Sequence, residues 1–276
     1  MMMIAGALIA LAGASAGAVE VRWDTAVLRF DDAGRVVALE DVATGRNCAL
    51  SGHPFCRIQS DSAVLVPDSV ARNGDRVTFT FEGGASLMYR VVPGRGFSIW
   101  TLAAIEGIDT ARILAIHLAN LNLDGLRTVG SQINACYDDS FAAAVMATQV
   151  NVHAYPEKRA DGKGVGLRAD VAPRHGLTPA GFGIIAGPRK DFEAVLDAFE
   201  KAAGLPNPHP GEAWSKRSPW TQRSYLFITG FGEKDVDEVI AWAKRGGFHM
   251  ILILGDSWSL THGHYEINRR FFPDGL

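Results

Sequence analysis

The sequence predicts a multidomain α and β protein, in which an antiparallel β-sandwich is followed by the first β-α-β unit of an incomplete (β/α)8 barrel. Three observations support this fold class. Short β-type runs separated by Gly, Asn, Asp and Pro turns extend from residue 19 to about residue 187. A proline-rich connector then covers residues 205–211. Beyond it, two continuous apolar runs flank one amphipathic stretch, as in parallel strands joined by a helix.

The composition limits the class of protein. With 276 residues and a formal net charge of −3, the chain is long enough for one large or two modest domains. It has no run of like charge, so we expect no nucleic-acid partner. A neutral polyol such as a sugar binds without a strong overall electric field, so the slight acidity does not argue against it. We expect no cofactor.

The N-terminus, MMMIAGALIALAGASAGA, is an apolar run that ends in small residues. Its small-x-small pattern predicts a signal peptide over residues 1–18, cleaved after Ala16 or Ala18, although the usual positive start is missing. The alternative is a membrane anchor, for which the run is short, since a span needs about 20 residues. We therefore expect a secreted or periplasmic protein that leaves the membrane after cleavage.

Three cysteines follow this segment: Cys48, Cys56 and Cys136. Cys48 and Cys56 are close enough in sequence for a short-loop disulfide in an oxidising compartment. Buried thiols that pack as small apolar side chains are the alternative. The sequence contains no CxxC pair, which excludes a zinc ribbon.

The sandwich is predicted over residues 19–204. Its clearest strands are residues 27–30, 36–39, 64–66, 77–81, 86–92, 97–103 and 182–186. Residues 76–81, RVTFTF, alternate in polarity, which indicates a strand with one solvated face. Residues 142–150 fit a helix or a strand equally well.

A helix is predicted over residues 191–203, because apolar side chains recur there at helical spacing: Phe192, Val195, Leu196 and Phe199. Gly204 is the expected C′ residue, and Pro206 stops the helix. The connector at residues 205–211 is therefore the predicted linker between two domains.

The second domain, residues 212–276, is predicted to contain an apolar strand at 225–229, a helix at 233–245 ended by Gly246, and a second apolar strand at 250–254. Strands that are apolar on both faces indicate a parallel sheet covered on both sides, and the crossover is expected to be right-handed. A whole (β/α)8 barrel takes about 250 residues. We therefore expect only the first unit here, completed by further sequence or by a partner.

The residues after the second strand carry a resemblance: Gly255-Asp256-Ser257-Trp258, then Gly263-His264-Tyr265, then residues 271–276, FFPDGL. In order and spacing, residues 217–276 resemble the α-galactosidase-type glycoside hydrolases of families 27 and 36. Those families have Asp-Asp-x-Trp, a Gly-Asp-Trp-like element in family 36, and Phe-Pro-x-Gly-Leu. Family 36 enzymes also begin with a β-sandwich. This sequence departs from the pattern at Gly255 and at His264-Tyr265.

The resemblance implies a retaining glycosidase acting on α-linked sugars, with Asp256, Trp258, His264 and Tyr265 as substrate-binding residues. An Asp at the carboxyl end of a barrel strand lies where such barrels bind substrate, and its oxygens accept hydrogen bonds from sugar hydroxyls. An aromatic face packs against the apolar side of a pyranose. The alternative is structural: Asp256 caps a turn and Trp258 fills the core beneath a loop. In the family both catalytic carboxylates come from later strands, so no catalytic residue is assigned.

Three other motifs are interpreted as structural. His262-x-His264 lacks a third metal ligand nearby, so no metal site is predicted. Asp138-Asp139 is interpreted as a solvated turn. Residues 162–166, GKGVG, lack the Gly-Lys-Ser/Thr ending of a phosphate loop.

The functional hypothesis is thus the N-terminal portion of a secreted glycoside hydrolase that is inactive by itself, with an oligosaccharide or glycoside as substrate. The alternative is a non-catalytic carbohydrate-binding or structural β-sandwich protein. Fold alone does not separate the two.

Overall fold

Antiparallel β-sheet makes up most of the chain, and helices are few. The computed structural model describes residues 19–130, 133–158, 164–209, 212–219, 221–261 and 263–275. The predicted signal peptide at residues 1–18 and part of the predicted linker, Pro210 and Gly211, lie outside these residues. The chain divides into two compact units, with the boundary between Pro206 and Asn207. No helix in the described part is long and apolar enough to cross a membrane.

In its described residues, the first unit contains seventeen strands and one α-helix. The strands are β1 (Val19–Arg22), β2 (Ala26–Phe30), β3 (Arg35–Asp41), β4 (His53–Pro54), β5 (Arg57–Ser60), β6 (Val64–Leu65), β7 (Pro67–Asn73), β8 (Arg76–Phe81), β9 (Ser86–Pro93), β10 (Phe97–Glu106), β11 (Ile113–Asp124), β12 (Thr128–Val129), β13 (Ala135–Tyr137), β14 (Phe141–Ala147), β15 (Val152–Lys158), β16 (Gly164–Val171) and β17 (Ala180–Pro188). The helix α1 spans Phe192–Ala202.

These strands form three antiparallel sheets. Their orders are β1-β2-β3-β4, β12-β13-β14-β17-β10-β9-β8-β7 and β15-β16-β11-β5-β6. One cluster of buried apolar side chains draws on all three sheets, so the core lies between them, as in the predicted β-sandwich. The strands predicted at 77–81, 86–92 and 97–103 are confirmed as β8, β9 and β10.

Residues 142–150, left open between helix and strand, contribute the strand β14. Alanine favours a helix by intrinsic propensity. However, β14 lies between β13 and β17, and its residues Phe141 to Val145 are all buried. Ladder hydrogen bonds and packing therefore outweigh the local preference.

Aromatic rings fill the centre of the core. The ring centroids of Trp100 and Phe182 are 6.0 Å apart in a stacked pair, and those of Phe55 and Trp100 are 5.1 Å apart. Their polar atoms are satisfied: Trp100 Nε1 donates to Ser98 Oγ at 2.9 Å, and the Tyr89 hydroxyl donates to the Leu118 carbonyl at 3.2 Å. Hydrogen bonding removes the cost of burying these groups, so the rings stabilise the core with their full apolar surface.

All three cysteines are buried and none is bridged. Desolvation is the main reason that the pKa of the Cys136 thiol rises to about 12, and burial also raises the pKa of Cys56. Such thiols stay protonated near neutral pH. Of the two alternatives for Cys48 and Cys56, the structure has the buried thiols.

The second unit contains the predicted β-α-β arrangement. Its elements are β18 (Tyr225–Ile228), a 3-10 turn (Glu233–Asp235), α2 (Val236–Gly246), β19 (Met250–Ile253) and the short α3 (Gly255–Trp258). β18 and β19 are parallel. The prediction that Gly246 ends the helix is wrong by one residue. Gly247 is the residue that adopts the left-handed conformation, with φ 69°, that glycine accepts without strain.

One face of the parallel pair is exposed, contrary to the prediction that both are covered. Tyr225, Phe227, Met250 and Leu252 have exposed fractions of 52, 51, 42 and 49%. The residues that alternate with them are only half-buried. A continuous apolar strand needs a packed layer on each face, and the described part of the chain leaves one face of this pair without one.

Candidate functional site

The carboxyl ends of the two parallel strands lie at the same edge of their sheet. Gly230 follows β18, and the turn α3 follows β19 directly. The Gly230 N–H donates to the hydroxyl oxygen of Ser257 at 3.1 Å, and Ser257 is buried. This hydrogen bond joins the two strand ends and fixes the turn that carries Asp256 and Trp258.

Asp256 is exposed in this turn, between half-buried Gly255 and buried Ser257. Two other carboxylates of the unit already accept backbone hydrogen bonds. Asp235 accepts from the Gly232 N–H at 2.9 Å, and Glu233 accepts from the Asp274 N–H at 3.2 Å. Asp256 is an exposed carboxylate in the turn that follows β19.

Trp258 and Tyr265 come together although seven positions separate them. Their rings are stacked, with centroids 5.4 Å apart and an angle of 20° between the planes. Trp258 is half-buried, whereas Tyr265 is 57% exposed and has a left-handed backbone, with φ 48°. This conformation is unfavourable for a large side chain, so the surrounding loop must hold it in place.

Backbone hydrogen bonds close the loop behind that stack. Leu260 N–H donates to the Glu266 carbonyl, and Asn268 N–H donates to the Trp258 carbonyl, both at 2.8 Å. Ser259 Oγ donates to the Thr261 carbonyl at 2.7 Å. The loop is thereby pinned at its base, while its outer part carries Tyr265.

The remaining predicted sites are placed as follows. His264 is exposed beside Tyr265, and His262 lies outside the described residues. Among the residues that the structure describes, no group of three His, Cys, Asp or Glu side chains could hold a metal ion. Asp138 Oδ1 accepts from the N–H groups of Ser140 and Phe141, which makes it a turn residue in the sandwich.

The segment that resembles Phe-Pro-x-Gly-Leu packs at the N-terminal end of α2. The rings of Phe231 and Phe272 have centroids 5.7 Å apart, and the Glu233 N–H donates to the Phe271 carbonyl at 2.8 Å. Both contacts hold the segment close to the start of the helix that follows β18. The three motifs of the resemblance therefore belong to one region of the second unit.

Sequence reasoning missed Ser257 and Gly230. The sequence signal for Ser257 was its position as a small hydroxyl residue between Asp256 and Trp258, two predicted sugar-binding residues. Its role depends on which backbone N–H lies opposite it across the parallel pair, which is a non-local fact.

No family model matches the chain, and no curated protein matches it. Solved structures do match. The α-N-acetylgalactosaminidase NagBb from Bifidobacterium bifidum, in its Gal-NHAc-DNJ complex, has a TM-score of 0.56 and 13% identity, over 92% of this chain and 54% of that chain. The same enzyme in its GalNAc complex has a TM-score of 0.54 and 12% identity, over 91% and 54% of the two chains.

The chain spans about half the length of these enzymes. At such low identity the likeness concerns the fold alone. The chain therefore has a glycoside hydrolase-like fold.

Proposed function

We propose that this chain is part of a secreted glycoside hydrolase that acts on α-linked sugars, of the α-galactosidase type. The observation that carries the proposal is the grouping of exposed Asp256 and the Trp258–Tyr265 stack at the carboxyl edge of a parallel β-α-β unit. The glycoside hydrolase-like fold supports it, and the similar enzyme NagBb is an α-N-acetylgalactosaminidase with a GalNAc complex.

Each residue of the group has a role in sugar binding. Asp256 accepts hydrogen bonds from two neighbouring hydroxyls, and its charge strengthens both. The exposed ring of Tyr265, supported by Trp258, packs against the apolar C–H face of the sugar. His264 supplies a further polar contact at the same loop.

The β-α-β unit is, in this proposal, the first part of a (β/α)8 barrel. The exposed apolar face of β18 and β19 supports it, as does a cleft of ≈340 Å³ whose lining includes Phe227, Val239 and the exposed Trp242. Neighbouring strands and helices of a barrel would cover both surfaces. A retaining enzyme needs two carboxylates about 5–5.5 Å apart. In our proposal both come from later strands of the barrel.

Export is part of the proposal and has a direct test. N-terminal sequencing of the mature protein should begin at Gly17 or Val19, because cleavage is expected after Ala16 or Ala18. An intact Met1 recovered from a membrane pellet would contradict it.

The sugar site is tested by Asp256→Asn in the complete enzyme. One charge-assisted hydrogen bond contributes about 1.5–3 kcal/mol, so kcat/KM on an aryl α-galactoside should fall at least about tenfold, while the melting temperature stays unchanged. The matched control is Asp68→Asn, at an exposed carboxylate on β7 of the sandwich, which should change neither. A lower melting temperature with unchanged kinetics would show that Asp256 only supports the turn.

The 276-residue chain alone is expected to hydrolyse no aryl α-glycoside. Appending the missing barrel should restore activity. Hydrolysis by the chain alone, abolished by mutation of one of its own carboxylates, would contradict the proposal.

A further inference from the structure

Four polar residues form one row across the five-stranded sheet of the sandwich. His153 on β15 lies opposite Asp170 on β16, Asp170 lies opposite His117 on β11, and His117 lies opposite Arg57 on β5. Residues in such a register share one face of the sheet. The residues next to them in sequence, Ile58, Ile116 and Val171, are buried in the core, so the row faces away from it.

Both carboxylate oxygens of Asp170 have a hydrogen-bond partner. Asp170 Oδ1 lies 2.8 Å from His117 Nδ1, and Asp170 Oδ2 accepts from the Tyr155 hydroxyl at 2.7 Å. Arg57 is two strands away from Asp170, or roughly 10 Å at the usual strand spacing. Among the described residues, no ion pair joins Asp170 to Arg57.

Arg57 has no side-chain partner among the residues that the structure describes. Its side chain is half-buried, and its Nε is buried without any hydrogen-bond partner. Within the part of the chain that the structure describes, no carboxylate forms an ion pair with Arg57. A buried guanidinium N–H that has lost water without gaining an acceptor is unfavourable.

A second arginine on the same face, Arg168, has a hydrogen-bond acceptor for each guanidinium nitrogen. Arg168 Nε donates to Glu157 Oε2 and Nη2 donates to Asn122 Oδ1, both at 3.0 Å, and Nη1 donates to Asn120. Its guanidinium lies against Gly166, where a Cβ would approach it to 2.5 Å. Among the described residues, Arg168 thus has three hydrogen-bond partners and Arg57 has none.

We propose that Arg57 and His117 form a binding site for an oxyanion of the carboxylate, sulfate or phosphate type, on the sandwich and separate from the proposed sugar site. The guanidinium supplies charge and planar paired donors, which match such groups. His117 Nε2, which has no hydrogen bond to any described residue, is the second polar contact. A free inorganic anion and the acidic group of a sugar share this chemistry.

The test is calorimetric titration of the full 276-residue chain with sodium sulfate, acetate, glucuronate and neutral glucose at constant ionic strength. The anions should bind and glucose should not. Arg57→Gln should weaken anion binding at least about tenfold, because it removes a charge-assisted hydrogen bond. The matched control Arg76→Gln, at an exposed arginine on β8 of another sheet, should bind like the unchanged chain. Tighter binding of glucuronate than acetate identifies an acidic sugar, and equal binding identifies a free anion.

Stability provides an independent readout. Without added anion, Arg57→Gln should leave the melting temperature unchanged or raise it, since it removes an unpaired, partly buried charge. Anion binding that is equal in the two variants, or absent in the unchanged chain, would overturn the proposal. So would an Arg57→Gln chain that no longer folds, because it would show that the guanidinium already has a partner inside the fold.

Discussion

The sandwich and the β-α-β unit bury apolar strands to very different degrees. In the sandwich, Trp100 and Tyr89 are completely buried. In the β-α-β unit, Tyr225 and Phe227 stand in an equally apolar strand, and about half of each remains exposed. The residue types are alike, so the difference lies in what the fold packs against them.

Connectivity explains that difference. Antiparallel strands can pair through short hairpins, as β8 and β9 do, and the sandwich completes its sheets with more distant antiparallel strands such as β17. Parallel strands need a crossover for each new pair and a layer on both faces. In the described chain β18 pairs only with β19. We infer that stability resides in the sandwich, whereas the proposed chemistry resides in a unit that needs further structure.

The largest expected effect is in amide hydrogen exchange. Amides of the central strands β10 and β17 should exchange only through global unfolding, which for a stable domain costs about 5–15 kcal/mol. Amides of β18 and β19 should exchange orders of magnitude faster, because little burial opposes their local opening. Mass spectrometry of peptides from both units measures this. If the amides from Tyr225 to Leu254 were protected as strongly as those of β10 and β17, the expected difference between the two units would be wrong.

A pair of tryptophan substitutions measures the same contrast in free energy. Trp100→Ala should lower the free energy of unfolding of the sandwich by about 3–5 kcal/mol, because it leaves a cavity among packed aromatic rings. Trp242 is 58% exposed on α2. Trp242→Ala should therefore change the free energy of unfolding of the β-α-β unit by less than about 0.5 kcal/mol. Urea denaturation followed by circular dichroism measures both. Similar losses for the two variants would show that Trp242 is also packed.

The turn at Asp138 gives the sandwich a pH dependence. Desolvation by itself would raise the pKa of this carboxyl, but the Phe141 and Ser140 N–H groups and the Arg46 guanidinium, at 2.6 Å, hold it well below its usual range. A depressed pKa contributes stability above the unfolded value of about 3.9, and that stability is lost as the pH falls through the folded pKa.

Asp138→Asn should therefore cost about 1–2 kcal/mol at pH 7 and little below the folded pKa of Asp138. Thermal melts from pH 7 down into that acid range measure it. The exposed neighbour provides the control, since Asp139→Asn should shift neither the melting temperature nor its pH dependence. A cost for Asp138→Asn that does not change with pH would mean that packing, not charge, is what the aspartate provides.

Local patterns made much of this fold predictable. The alternation in residues 76–81 and the apolar spacing from Phe192 to Phe199 each gave an element that the structure contains. These signals depend on neighbours within one or two turns of chain, which a sequence displays directly. The glycine turn after α1 was predictable for the same reason, since Gly204 has φ 67°.

Features that depend on distant partners were not predictable. The sequence does not show that β17 lies between β14 and β10, and this placement makes alanine-rich β14 a strand. In the candidate site, the sequence placed Asp256 after a strand. It did not indicate that Ser257 would accept from Gly230, or that Tyr265 would cover Trp258. Both contacts join segments whose proximity the tertiary fold creates.

The smallest expected effect in this chain is the most informative about the incomplete barrel. Phe227 is half-exposed on the open face of β18, so Phe227→Gln should change the stability of the 276-residue chain by no more than about 0.5 kcal/mol. In a complete barrel the same side chain would be enclosed, and its replacement would bury an unsatisfied amide and cost about 3–5 kcal/mol. Measuring the free energy of unfolding of both forms therefore tests whether this face is covered. If Phe227→Gln is as mild in the complete enzyme as in this chain, β18 is not an interior strand of a barrel.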